Sequence, residues 1–244
     1  METIKPSQNS PIGIFDSGLG GLTVLKSLET ILPNESFIYF GDTAHVPYGT
    51  KSAETVIRYS QHIMDFFQKH ETKAVVIACN TASAVAFQHL QQLYNIPLFD
   101  VVTPSVEFAI NHTKNKNIGV VGTFSTIYSN AYTKMFQKLG SGCNVKEIAC
   151  PLFVPIIEEG WANTDIAENI AKTYLNEFQN INIDTLILGC THYPIMVNTI
   201  QKVLSSQINL VYSGKTVGIK LKEHFKKQNC ENSSLSSQPT KYFV

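Results

Sequence analysis

Short apolar runs rich in β-branched residues alternate along this chain with longer stretches in which apolar residues recur every three or four positions. Runs of the first kind predict buried β-strands, and stretches of the second kind predict amphipathic helices. This alternation is typical of parallel sheets flanked by helices, so the predicted fold class is α/β. The predicted strands are Ile12 to Asp16, Ser36 to Phe40, Ala74 to Ala78, Pro97 to Val102, Ile118 to Gly122, Val145 to Ala149, Thr185 to Gly189 and Ile208 to Tyr212.

The clearest helical pattern covers Ser52 to His70. Its apolar stripe should pack against a sheet. The stripe consists of Val56, Ile57, Ser60, Ile63, Met64 and Phe67. Near the end of the chain, Gln228 to Gln238 is rich in Asn, Ser and Gln and predicts a surface loop. The last short run, Lys241 to Val244, predicts a strand that either closes a sheet edge or is the remainder of a longer element.

Two parts of the chain echo each other. Ala74 to Ala78 ends in Cys79-Asn80-Thr81, and Thr185 to Gly189 ends in Cys190-Thr191-His192. Likewise, Ile12 to Asp16 leads into Ser17, and Ile118 to Gly122 leads into Thr123. This echo predicts two pseudo-symmetric lobes. Because loops at the carboxyl ends of parallel strands form ligand sites, we expect both cysteines to face one cleft.

Composition narrows the class of protein. The 244 residues allow one large domain or two small ones, and 43% hydrophobic against 16% charged residues indicates a globular chain. Basic and acidic residues balance at 19 each, which argues against nucleic acid or membrane as the main partner. Arg58 is the one arginine, so an arginine fork for carboxylates would have to use it.

Five cysteines without a CxxC pair, and an N-terminus without an apolar signal region, predict a soluble protein of the reducing cytoplasm. Cys79 precedes a predicted helix, where backbone amides lower a thiol pKa. Alone, it also fits a buried core cysteine. The matching placement of Cys190, with His192 close by, favours catalysis. Two thiols on one site suggest that one removes a proton from carbon while the other delivers a proton to the opposite face.

Other residues of these strand ends admit competing interpretations. Asp16 either holds a substrate ammonium, shares protons with a thiol or caps a helix, and Ser17 adds a hydroxyl. Cys79, Cys190 and His192 are a poor zinc set because only Cys190 and His192 are close in sequence. The cluster Gly18-Leu-Gly20-Gly21 resembles a phosphate loop but lacks its final glycine. Cys143, Cys150 and Cys230 are interpreted as structural.

These residues and their neighbours resemble the glutamate racemase family in six motifs that occur in the family's order. The segments are Asp16-Ser-Gly-Leu-Gly-Gly-Leu22, Gly41-Asp-Thr43, Pro47-Tyr-Gly49, Cys79-Asn-Thr-Ala-Ser83, Pro151-Leu-Phe-Val-Pro155 with Glu158, and Gly189-Cys-Thr-His-Tyr-Pro194. The resemblance covers residues 12 to 215. It implies a first α/β lobe of residues 1–101 and 213–244, a second of residues 102–212, and the site between them.

The resemblance further implies interconversion of L- and D-glutamate without a cofactor, supplying D-glutamate for peptidoglycan. Cys79 would take the proton from the D-isomer and Cys190 from the L-isomer. By the same resemblance, Asp16 assists Cys79, His192 assists Cys190, and Asp42 and Glu158 are weaker supporting carboxylates. Whether Glu158 or Glu159 faces the cleft is left open. The substrate contacts it implies are Asp16, Ser17, Tyr48, Gly49, Asn80, Thr81, Thr191 and His192.

Alternatives within the fold are a racemase for aspartate or hydantoins, and a non-catalytic regulatory protein acting on a partner such as gyrase. A homodimer and activation by a cell-wall precursor are found in parts of the family. Family members also continue into a helix beyond a strand like Lys241 to Val244, where this chain stops. The resemblance therefore leaves two interpretations: the chain is truncated, or its first lobe is naturally shorter.

Overall fold

The computed structural model of the chain describes residues 7–204, 207–232 and 238–244, and their strands form two separate parallel sheets. The first sheet comprises β1 (Ile12–Asp16), β2 (Phe37–Gly41), β3 (Ala74–Ile77), β4 (Leu98–Phe99) and β9 (Lys241–Phe243). The second comprises β5 (Asn117–Gly122), β6 (Asn144–Ala149), β7 (Thr185–Gly189) and β8 (Asn209–Tyr212). The strand order is β4-β3-β1-β2-β9 in the first sheet and β6-β5-β7-β8 in the second. This confirms the predicted α/β class with two lobes.

Helices cover both faces of each sheet. The first sheet packs between α1 (Leu22–Ile31) with α10 (Ser213–Gln228) and α2 (Ala53–Lys69) with α3 (Asn80–Leu93). On one face of the second sheet lie α4 (Val102–His112), α5 (Phe124–Tyr128) and α6 (Ala131–Lys138). On its other face lie α7 (Phe153–Glu158), α8 (Asp165–Leu175) and α9 (Val197–Leu204). The strands are accordingly buried on both sides, as parallel sheets require.

Most predicted elements agree with the structure to within one residue at each end. The predicted helix Ser52 to His70 is α2, and Ser52 caps it by accepting a hydrogen bond from the Thr55 backbone N–H at 3.3 Å. Lys241–Phe243 pairs in parallel with β2, so the last strand does close an edge of the first sheet. The loop predicted over Gln228 to Gln238 begins after α10, and its residues 233–237 lie outside the described part of the chain.

One predicted strand is wrong. Pro97 to Val102 contains only the two-residue strand Leu98–Phe99, because α4 already begins at Val102 with Val101 as its N-cap residue. The Asp100 carboxylate accepts hydrogen bonds from the backbone N–H and the hydroxyl of Thr103, both at 2.7 Å. The start of a helix inside an apolar run therefore replaced the end of the expected strand.

The order of the strands decides where loops converge. In each sheet the chain runs outward in both directions from a central strand, β1 or β5. The loops after β1 and β3, and those after β5 and β7, therefore leave the carboxyl edges at such a reversal, where α/β proteins bind ligands. The boundaries of the lobes at residues 101 and 213 stay a prediction. No helix of the described residues combines the length and apolarity needed to cross a bilayer.

Candidate active site

A cavity of about 210 Å³ lies between the carboxyl edges of the two sheets. Both thiols line it: Cys79 follows β3 of the first sheet, and Cys190 follows β7 of the second. Of the other predicted site residues, Ser17, Tyr48, Gly49, Asn80, Thr81, Glu158, Thr191 and His192 also line the cavity. Residues that directly follow strands in both halves of the chain thus line one cavity, as the sequence predicts.

Cys79 is the N-cap residue of α3 and is 5% exposed. Its sulfur accepts a hydrogen bond from the Ala82 backbone N–H at 3.5 Å and lies 3.8 Å from the Ser17 hydroxyl oxygen. Burial, together with the nearby Asp16 carboxylate, nevertheless raises the pKa of the thiol to about 12. The expectation that the helix N-terminus lowers this pKa is therefore wrong, because the loss of hydration on burial outweighs the effect of the backbone amides.

Cys190 has a different partner. Its sulfur lies 3.8 Å from His192 Nδ1, while His192 Nε2 lies 3.1 Å from Glu158 Oε1. Burial also raises the pKa of the Cys190 thiol well above its usual range. Glu158 faces the cavity, whereas the neighbouring Glu159 is exposed beyond the end of α7. The imidazole thus lies between the thiol and a carboxylate that reaches solvent.

Asp16 and Asp42 lie behind the cavity wall rather than in it. Fully buried Asp16 accepts hydrogen bonds from the Gly18 backbone N–H at 3.0 Å and from the Thr191 hydroxyl at 3.2 Å. Burial raises the pKa of its carboxyl, and His192 partly opposes that rise. The carboxylate ties Thr191 to the first lobe, and its direct contact with substrate stays a prediction.

Asp42 acts on the loop that carries Tyr48. One oxygen accepts a hydrogen bond from the Tyr48 hydroxyl at 2.5 Å, and the other lies 2.7 Å from Nδ1 of His45. Val46, Pro47 and Thr50 of this loop line the cavity but were not predicted as site residues. Pro47 lies in a motif quoted above, so the motif itself was the signal that could have identified it.

The second lobe adds further cavity residues that sequence reasoning missed. They are Thr123, Phe124, Pro151, Val154, Pro155 and Gly189. Thr123 follows β5 as Ser17 follows β1, so the internal echo was the available signal. The hydroxyl oxygens of Thr81 and Thr123 lie 3.0 Å apart and connect the two lobes at the cavity. Arg58 is exposed and does not line the cavity.

The groups that line the cavity indicate which kinds of ligand it can bind. Within the described ranges, no three side chains among His, Cys, Asp and Glu are grouped so that they could hold a metal ion. The wall instead offers hydroxyls, backbone amides and one carboxamide, all of which can bind carboxylates. Two thiols on opposite lobes of a small cavity can exchange protons with a bound carbon acid.

Comparison with known proteins gives consistent matches. The family model described as Asp/Glu/Hydantoin racemase matches residues 12–220. The chain is 48% identical over 204 residues to the glutamate racemase of Geobacter metallireducens, covering 84% of this chain and 76% of that protein.

Solved structures agree. The crystal structure of a glutamate racemase isoform from Bacillus anthracis superposes with a TM-score of 0.93 at 35% identity, covering 96% of this chain and 88% of that one. The glutamate racemase of Francisella tularensis in complex with D-glutamate gives a TM-score of 0.90 at 41% identity, with the same coverage of both chains.

Proposed function

The chain belongs to the Asp/Glu/hydantoin racemase family, and we propose that it interconverts L- and D-glutamate with Cys79 and Cys190 as its two acid–base groups. Because its relatives include glutamate racemases, the protein is an amino-acid racemase, which is a kind of isomerase. The observation that carries the two-thiol mechanism is that the thiols belong to different lobes and line one cavity. The D-glutamate complex of the Francisella tularensis relative supports glutamate as the substrate.

In the proposed reaction, one thiolate removes the α-proton of glutamate and the opposite thiol donates its proton to the other face. For L-glutamate, Cys190 is the base and Cys79 the acid; for D-glutamate the roles reverse. Each turnover therefore exchanges the protonation states of the two cysteines, and the substrate gives up its α-proton to one of them and gains a proton from the other. The proton balance closes without an added reactant.

The raised pKa values of both thiols make the thiolate of each cysteine the minor species at neutral pH. Entry of the positively charged substrate ammonium would favour thiolate formation, because an opposite charge nearby stabilises an anion. We propose that His192 accepts and returns the proton of Cys190, which its Nδ1 approaches to 3.8 Å, with Glu158 holding Nε2. Asp16 is proposed to assist Cys79 in its role as proton donor, because its charge raises the pKa of the thiol and so keeps the proton on sulfur until the substrate carbanion takes it.

Substrate carboxylates are proposed to bind to the hydroxyls of Ser17 and Thr81, to the backbone of Tyr48, Gly49 and Thr191, and to the Asn80 amide. The support is their common place on the cavity wall and the position of Arg58 outside it. From the family resemblance we also propose that the protein acts in the cytoplasm and that the D-glutamate it produces is used to make peptidoglycan.

Circular dichroism of L-glutamate incubated with purified protein tests the function. The optical signal should decay to zero, and that of D-glutamate should decay likewise, in buffer with a chelator and without pyridoxal phosphate. Aspartate measured alongside tests the substrate choice, and faster racemisation of aspartate would overturn it. An unchanged glutamate signal from folded protein would overturn the proposed activity.

A further inference from the structure

Among the described residues, the side-chain amide of Asn80 forms hydrogen bonds through its oxygen but not through its nitrogen. Asn80 is 2% exposed and lines the cavity directly after Cys79. Its Oδ1 accepts two hydrogen bonds, whereas its buried Nδ2 has no hydrogen-bond partner within the described residues. An unpaired buried donor is costly, so a donor left free on a cavity wall indicates an acceptor that arrives with the ligand.

Tyr132 supplies the stronger of the two bonds. This tyrosine lies on α6 of the second lobe and is fully buried, and its hydroxyl donates to Asn80 Oδ1 at 2.7 Å. Across the described residues, that oxygen is the one acceptor within hydrogen-bond reach of the hydroxyl. Because the buried O–H needs an acceptor, the amide must turn its oxygen toward Tyr132, which leaves its NH₂ group without a hydrogen-bond partner among the described residues.

Ser213 adds to this orientation from a third element. It is the first residue of α10 and is 3% exposed, and its hydroxyl lies 3.3 Å from Asn80 Oδ1. The same hydroxyl lies 3.5 Å from the Leu188 carbonyl oxygen of β7. The amide is thus fixed from the second lobe and from the point where the chain re-enters the first.

We propose that Tyr132 is a positioning residue that, with Ser213, orients the Asn80 amide so that Nδ2 donates a hydrogen bond to a carboxylate oxygen of bound glutamate. This inference rests on the proposed function, because it deepens the account of how that substrate is held. Tyr132 does not line the cavity and acts through Asn80. The hydrogen bond it supports is present before and during proton transfer, so it contributes to binding rather than to the chemical step.

Tyr132→Phe removes the hydroxyl and keeps the ring. The KM for both enantiomers should rise about tenfold, the loss expected for one hydrogen bond, while kcat stays close to that of the wild type. Ser213→Ala should raise KM less, because its contact is longer. The matched control is Tyr94→Phe, which removes a hydroxyl bound to the Gln61 carbonyl and Asp65 and lies outside the cavity. It should leave both constants unchanged.

A double-variant cycle separates positioning from general support of the fold. With Asn80→Ala in place, adding Tyr132→Phe should raise KM no further, because the amide it orients is gone. Binding of D-glutamate by titration calorimetry provides the same comparison where turnover is too slow. The role of Tyr132 would be overturned if Tyr132→Phe raised KM as much in the presence of Asn80→Ala as it does alone. It would also be overturned if the Tyr132→Phe protein had the KM of the wild type. If the wild type itself neither binds nor racemises glutamate, the proposed function falls and this role falls with it.

Discussion

A Cβ atom placed on Gly20 would lie 2.5 Å from both Cε1 and Nδ1 of His192, closer than any ordinary contact. Gly20 belongs to the loop after β1 in the first lobe, and His192 follows β7 in the second. The Thr23 hydroxyl, from the start of α1, also donates to the Thr191 carbonyl oxygen at 2.7 Å. The backbone of one lobe therefore forms the surface against which the imidazole of the other is held.

Gly20→Ala should displace His192 from the Cys190 sulfur. We expect kcat to fall by about 10²-fold, the effect of moving a catalytic group by roughly 1 Å, with smaller change in KM. Steady-state racemisation rates and a melting curve measure the two effects. Gly18→Ala is the matched control in the same loop, because its Cβ would meet Val46 at an ordinary 3.4 Å. Wild-type kcat in Gly20→Ala would show that this contact does not position the imidazole.

The two thiols should differ in direction. Cys79→Ser and Cys190→Ser should each slow racemisation by about 10²–10⁴-fold, the usual contribution of a general base. Because the enantiomers are equally stable, kcat/KM must remain equal in both directions for every variant. The difference should appear as solvent deuterium in substrate that has not inverted. Cys190→Ser should label residual D-glutamate faster than residual L-glutamate, and Cys79→Ser the reverse.

Mass spectrometry of the separated enantiomers in deuterium oxide makes this measurement. Cys143→Ser is the control, since this half-buried thiol lies outside the cavity and bonds only within its own turn. Equal labelling of both enantiomers by either active-site variant would contradict the assigned directions while leaving the involvement of the thiols intact.

Alkylation of Cys79 should have an unusual pH profile. With its pKa raised to about 12 by burial, the thiolate fraction should rise about tenfold per pH unit and not level off between pH 8 and 10. Limited access lowers the rate by a constant factor, so the slope reports the pKa separately from exposure. Iodoacetamide labelling followed by peptide mass spectrometry gives the profile, and N-acetylcysteine in the same tube gives that of an ordinary thiol. A plateau near pH 9 for Cys79 would refute the raised value.

The parts of the fold that sequence could predict depend on local patterns. Ile12–Asp16 and Thr185–Gly189 are apolar runs followed by polar turn residues, and both strands have the predicted bounds. Cys79 and Cys190 follow strands of two different sheets, so strand pairing does not bring them together. They could be assigned to one cleft because the same strand-to-turn pattern occurs twice and because the carboxyl ends of parallel strands form ligand sites. The strand predicted over Pro97 to Val102 was wrong because a short apolar run is typical both of a strand and of the start of a helix.

The remaining features depend on contacts between distant parts of the chain. The pKa direction of Cys79 was mispredicted because its position before a helix is visible in the sequence, whereas the loss of water around it is not. The hydrogen bond between Tyr132 and Asn80 joins two lobes, and no spacing in the sequence indicates it. Asp16 was placed at the correct strand end, but its burial behind Thr191 follows only from how the lobes pack.

The carboxyl of Asp100 makes stability depend on pH. Asp100 is 4% exposed, and burial raises its pKa from 3.8 to about 6, although hydrogen bonds from Thr103 oppose the rise. Between these values the folded chain holds more protons than the unfolded chain, so the contribution of this group to stability falls as the pH rises. Above pH 6 the cost of the buried charge is constant at about 3 kcal/mol.

Asp100→Asn removes this charge and keeps an acceptor for the Thr103 backbone N–H. Relative to the wild type, the variant should gain about 2 kcal/mol in free energy of unfolding between pH 4 and pH 7. Urea unfolding of both proteins at the two pH values measures the difference. Asp165→Asn, at an exposed carboxylate in the first turn of α8, controls for removing an aspartate charge and should show no such gain. A stability difference between Asp100→Asn and the wild type that is the same at both pH values would mean that Asp100 ionises equally readily in the folded and unfolded chain.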